Sequence, residues 1–199
     1  ALATVATVAP LALFPGTATA QDPNYILSLT DANGPAGGLV DVQVMFDNNG
    51  SDVDGWSLVV GHDPSFATFI DVVLGSFTLA LNNGAGPDFY FSDVNSDSIF
   101  TVAVIINFSN LEVLPGGSLN NELHIATYQL SGLGTGNSSQ VEFLNTDPSS
   151  SQIETIVVVA NQAVYPTTVD GTLGLTDCTD TPASPTNLTC VIDTTNNCQ

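Results

Sequence analysis

The chain has 199 residues, 20 aspartates and glutamates, no lysine or arginine, and a formal net charge of −20 at pH 7. Nucleic acids, nucleotides, anionic membranes and acidic polysaccharides are held mainly through Lys and Arg, so all four are excluded as partners. Only His62, His124 and the amino terminus can carry positive charge, which removes lysine chemistry and arginine clamps and makes stability depend on screening by salt or divalent cations.

Residues 1–20 read ALATVATVAPLALFPGTATA and end in Ala18-Thr19-Ala20 before Gln21. An apolar stretch closed by A-x-A is the h-region and cleavage site of a secretory signal peptide, here without its basic n-region. The expected mature chain starts at Gln21 and is secreted or displayed on the cell surface. Pro10, Pro15 and Gly16 interrupt the stretch, which is also shorter than the roughly 20 apolar residues of a membrane span. No span is therefore expected in the mature chain. The Ala-Thr-Val-Ala-Thr-Val pattern leaves an alternative: a strand donated to a neighbouring subunit, and thus self-association.

The body, residues 21–176, reads as one all-β domain. The whole chain, with 43% apolar and 10% charged residues, does not have a disordered composition. Short apolar or alternating runs are separated by Gly, Pro, Asn and Asp. In order these are Tyr25–Leu29, Leu39–Phe46, Gly55–Val60, Ala67–Leu74, Phe89–Phe91, Ile99–Ile106, Asn121–Leu130, Gln140–Leu144, Glu154–Ala160 and Val169–Leu175. In LVDVQVMF, residues Val40, Val42, Val44 and Phe46 share one face. The run IFTVAVII is apolar on both faces, as a central strand is. Asn33-Gly34, Asn49-Gly50, Asn83-Gly84 and Pro115-Gly116-Gly117 supply turn chemistry, and a short helical turn is expected near Pro64–Phe66. Nine or ten such strands make a two-sheet β-sandwich.

Beyond Asp177 the composition changes. Residues 177–199 hold all three cysteines, Cys178, Cys190 and Cys198, with a Pro/Ser/Thr-rich stretch. A Cys178–Cys190 disulfide fits an oxidising compartment, and no CxxC spacing favours a metal. The run from Pro185 to Val191 resembles the opening strand of a fibronectin-type module, so this end reads as a linker or the start of a further domain.

Reactive constellations are sparse. His62-Asp63 reads as a strand corner followed by Asp-Pro turn chemistry rather than a base with its orienting acid. His124 reads as a packed or edge strand residue. Glu112, Glu122, Glu142 and Glu154 are scattered rather than paired as a glycosidase requires, and no G-x-S-x-G elbow occurs. No enzyme activity is expected. Asp93-x-Asn95-x-Asp97 places oxygens at alternate positions as a calcium loop does. However, Ser98 stands where the loop needs Gly and Val104 where it needs a bidentate Glu. Calcium is the one cofactor the pattern admits, there or at Asp47–Asp54. Trp56, the single tryptophan, reads as core. The N-x-S/T triplets at Asn49, Asn107, Asn137 and Asn187 are expected by chance in an Asn/Ser-rich chain.

Three stretches share a family likeness. Ala36-Gly37-Gly38 precedes the alternating strand LVDVQVMF. Asp54–Pro64 (DGWSLVVGHDP) is followed by Val72–Ser76 (VVLGS). Glu122–Leu130 (ELHIATYQL) follows a glycine-containing loop. Order and spacing over residues 24–175 resemble a cohesin module, with His62 where the family carries an aromatic residue. The resemblance implies a nine-stranded jelly-roll sandwich and a non-catalytic binding or scaffold module. Its partner would be a dockerin-like protein, or it would serve surface adhesion. No residue of a dockerin-binding face is matched. A calcium-assisted module for extracellular polysaccharide is the further alternative.

Overall fold

The computed structural model describes residues 20–96, 98–109, 111–131, 138–148 and 153–176. In chain order the elements are β1 (Asp22–Leu29), β2 (Ala32–Gly34), β3 (Leu39–Asn48), β4 (Gly55–His62), β5 (Ala67–Leu74), α1 (Ser76–Gly84), β6 (Phe89–Ser96), β7 (Ile99–Ile105), β8 (Asn121–Leu130), β9 (Ser138–Phe143), β10 (Ile156–Val159), β11 (Gln162–Val164), β12 (Pro166–Val169) and β13 (Gly171–Leu175). The thirteen strands exceed the nine or ten read from pattern. The additional ones, β2, β11 and β12, have three or four residues each, too few for alternation to register. Asn33-Gly34, expected as a turn, lies in β2, paired in parallel with β13.

The strands form two sheets. One has the order β12-β1-β3-β8-β5, antiparallel except for the β1–β12 pair. In the other, β7 covers one edge of β4 from Gly55 to Gly61, and β6 pairs with the far side of β7. A strand has two edges, so β10 at Gly55–Ser57 and β9 at Val60–His62 share the opposite edge of β4 end to end. Between them Thr155 bridges the gap, its hydroxyl accepting from Val59 N–H at 3.0 Å.

Inward-facing side chains from both layers meet in one core. Leu27, Val42, Val44, Phe46, Tyr128 and Leu130 come from the first sheet, and Trp56, Leu58, Phe100, Val102, Val141 and Leu173 from the second. A bulge in β8 breaks the alternation. Val44 pairs with His124 and Met45 with Glu122, so Leu123 is extra and both Leu123 and His124 turn inward.

Alternation does not foretell α1. Its regular part is short, and Leu81, Asn82 and Asn83 leave helical angles, with Asn82 at φ 52° and Asn83 at φ 59°. It is fixed from outside: Glu122 accepts Ser76 N–H at 2.8 Å, and Thr78 Oγ1 donates to Leu123 O at 2.7 Å. The helical turn expected near Pro64–Phe66 is present as a single turn, with Asp63 O accepting from Phe66 N–H at 3.0 Å and from Ala67 N–H at 3.2 Å.

Candidate functional site: an apolar sheet face

The outer face of the second sheet follows from register. Phe100, Val102 and Val104 on β7 point into the core, so Ala103 and Ile105 point out. Phe89 lies opposite Ile105 and Phe91 opposite Ala103 on β6. On the other side of β7, Gly55 faces Ile105 and Ser57 faces Ala103, with Val158 and Ile156 of β10 next in line. Two rows thus cross four strands: Phe89–Ile105–Gly55–Val158 and Phe91–Ala103–Ser57–Ile156. Phe89, Phe91 and Ile105 remain 41%, 40% and 40% exposed, and Phe108 beyond β7 is 66% exposed.

The other end of this face is closed. Leu144 lies over Gly61, where a Cβ would come 3.1 Å from Leu144 Cδ1. The first sheet's outer face is mixed. Thr127 Oγ1 donates to Asp41 at 2.7 Å and Gln43 Nε2 donates to Glu122, and the exposed Leu39 and Val73 stand among these polar side chains. Contiguous exposed aromatic and aliphatic side chains on one sheet face mark an interaction surface, because isolated apolar residues need no such grouping.

Carboxylates border the apolar rows. Asp93 follows Phe91 on the same face of β6, two residues along. Asp88 accepts Phe108 N–H at 2.8 Å. Asp54 lies beside Gly55 and accepts Asn161 N–H at 3.4 Å. Glu154 receives the Tyr165 hydroxyl at 2.6 Å beside Ile156.

Gly55 also keeps β4 close to β7, since a Cβ there would sit 2.4 Å from Val104 O. Asp54, Gly55, Ile105, Phe108, Val158 and Asn161 line a hollow of about 310 Å³ at this end of the face.

Neither histidine is placed for chemistry. His62, at the end of β4, packs edge-on against Tyr128 with ring centroids 5.0 Å apart, and burial lowers its pKa. His124 is fully buried, and burial pushes it down to about 3. Trp56 is 2% exposed and stacks on nothing in solvent. The Tyr128 hydroxyl, also buried, is pushed up by the same loss of solvent. Asp63 is held below the usual carboxylate range by Ser65, whose hydroxyl and amide both donate to it. Among the described residues no three His, Cys, Asp or Glu side chains converge as metal ligands.

Of the calcium candidates, Asp93 lies in strand β6 with an exposed side chain, not in a loop. The Asn95 side chain and Asp97 lie outside the described residues, as do Cys178, Cys190, Cys198 and residues 1–19. Sequence reading missed the face itself. Its only local sign is the Phe-Tyr-Phe run, which does not say which faces of β6 its rings occupy until the pairing with β7 is known.

No protein-family model matches the chain, and no curated protein matches it. Solved structures do. The sixth cohesin of scaffoldin B from Acetivibrio cellulolyticus, in complex with a Cel5 dockerin variant, is 16% identical, with a TM-score of 0.60 over 77% of this chain and 99% of that one. The OlpC cohesin of Clostridium thermocellum, in complex with Doc435, is 14% identical, with a TM-score of 0.61 over 79% and 97%. A non-cellulosomal cohesin from the archaeon Archaeoglobus fulgidus is 18% identical, with a TM-score of 0.55 over 77% and 91%. At these identities the likeness establishes the fold: a cohesin-like β-sandwich, as the sequence resemblance implies.

Proposed function

We propose that the chain is a non-catalytic, extracellular protein-binding module that docks a dockerin-like partner on the outer face of β6, β7, β4 and β10. The observation that carries this reading is the pair of rows that sets Phe89, Phe91 and Ile105 side by side and exposed on one face, whereas the exposed Leu39 and Val73 of the opposite sheet stand among polar side chains such as Asp41, Thr127 and Gln43. Solved structures of this fold in complex with dockerins support a protein as the partner. The signal-peptide pattern at residues 1–20 supports export, and among the described residues no helix is long and apolar enough to cross a membrane. Trp56 is core, so sugar stacking on the single tryptophan gives no support to a polysaccharide reading. A second copy carries the same net charge of −20 over its 199 residues, which opposes self-pairing.

The test is capture of secreted proteins on the immobilised chain, followed by hydrogen exchange on the purified pair. Protection confined to β6, β7, β4 and β10 is expected. Protection confined to β1, β3 and β8 would overturn the assignment of the face.

A further inference from the structure

The hollow at the end of the apolar face has a mixed lining that points to a particular kind of side chain. Ile105, Val158 and Phe108 are its apolar lining residues, and Asp54, Asn107 and Asn161 its polar ones. Phe108 and Ile105 are both exposed, so their surfaces are free for contact. Asp54 is half-buried, and among the described residues its carboxylate accepts only the long Asn161 N–H bond, at 3.4 Å. A volume of about 310 Å³ lies at the lower end of small-ligand sites, roughly 300–1,000 Å³, so it suits one large side chain.

We infer that this hollow receives an arginine side chain from the docked partner. The aliphatic stem would lie along Ile105 and Val158. The guanidinium would pair with Asp54 and stack on Phe108, as arginine does where a carboxylate and an aromatic face converge. Lysine would fit the stem but would lose the planar, bidentate match. Residues 1–199 hold neither Arg nor Lys, so this stretch of a second copy does not supply the group, which favours a different protein as the partner. Charge complementarity acts in the same direction, with Asp88, Asp93 and Glu154 bordering the same face. The inference rests on the docking face proposed above and adds the chemistry of its anchor.

The experiment is a titration of the isotope-labelled full chain with N-acetyl-arginine methylamide, followed by amide NMR. The neutral isostere N-acetyl-citrulline methylamide and N-acetyl-lysine methylamide run alongside. Arginine is expected to shift Asp54, Ile105, Phe108 and Asn161 in a saturable way. Lysine should bind more weakly, and citrulline at least about tenfold more weakly, the discrimination of a charge-assisted bond. Asp54→Asn, checked for an unchanged spectrum elsewhere, should erase the preference of arginine over citrulline. Equal binding of arginine and citrulline by the unaltered chain would overturn the inference, as would arginine shifts spread over the carboxylates of both sheets. A partner that protects β6 and β7 while arginine binds nowhere overturns the pocket alone. Arginine bound in the hollow with the partner on the first sheet overturns the docking face alone.

Discussion

Trp56 Nε1 donates a 2.9 Å hydrogen bond to His124 Nε2, joining β4 of one sheet to β8 of the other inside the core. The acceptor role requires a lone pair on Nε2, so the imidazole is neutral and carries its proton on Nδ1. The β8 bulge makes the contact possible by turning His124 inward beside Leu123. Trp56→Phe removes the donor and leaves a buried nitrogen without it. A loss of about 1–3 kcal/mol is expected in urea unfolding, the cost of a buried unsatisfied polar group plus lost packing. A loss below a few tenths would mean that the bond does not form.

Acid stability follows from the same burial. Burial lowers both His62 and His124 from 6.5, His124 to about 3. The folded state therefore binds fewer protons than the unfolded chain. This stabilisation is complete above about pH 6.5 and is lost as pH falls toward 3, with His124 alone accounting for about 3 kcal/mol between pH 7 and pH 4. Asp63 and Glu122, both lowered chiefly by hydrogen bonds from Ser65 and Ser76, act in the same direction, but only below their ordinary values of 3.8 and 4.5. Urea midpoints at constant ionic strength should fall between pH 6.5 and pH 5, before the carboxylates titrate. A midpoint that rises steadily over that interval would show that neither histidine is buried neutral.

Salt should stabilise the fold. Twenty carboxylates with no Lys or Arg among them repel at low ionic strength, and no intrachain Lys or Arg pair exists for salt to weaken. The melting temperature is expected to rise monotonically from 10 mM to 1 M sodium chloride at pH 7.5. A fall over that range would contradict the charge argument.

Glu122 caps α1 from β8 by accepting Ser76 N–H, in place of the side-chain cap that Gly75 cannot provide. Glu122→Gln removes the negative charge from the helix start and should cost about 0.5–1 kcal/mol. Faster amide exchange should be confined to Ser76–Leu79 and the adjoining β8 segment. Faster exchange throughout the second sheet would assign Glu122 a different role.

Much of the sandwich was legible because its long strands alternate. Leu39–Asn48 alternates buried with more exposed positions along its length, Asn121–Leu130 does so on the far side of its bulge, and ELHIATYQL also carried the family likeness. The β8 bulge was less accessible, since Leu123-His124 reads as one step of alternation until the register with β3 is seen. The α1 segment, SFTLALNNG, is too short for helical period and is held by Glu122 and Leu123 from another strand. The docking face was illegible for a related reason. Phe89, Tyr90 and Phe91 place aromatic rings on both sides of β6, and Tyr90 turns toward the core, its hydroxyl reaching Val72 O at 3.1 Å. The outward role of Phe89 and Phe91 exists only through the pairing with Ile105 and Ala103.

The docking face is tested most directly by two matched substitutions measured against the captured partner by calorimetry. Phe91 on the second sheet and Val73 on the first are 40% and 48% exposed, so an aspartate at either position is tolerated by the fold to a similar degree. Phe91→Asp is expected to weaken binding by about thirtyfold or more, the effect of a central apolar anchor, while Val73→Asp leaves affinity within about twofold of the unaltered chain. Unchanged affinity for Phe91→Asp together with a large loss for Val73→Asp would place the partner on the opposite sheet and contradict the account.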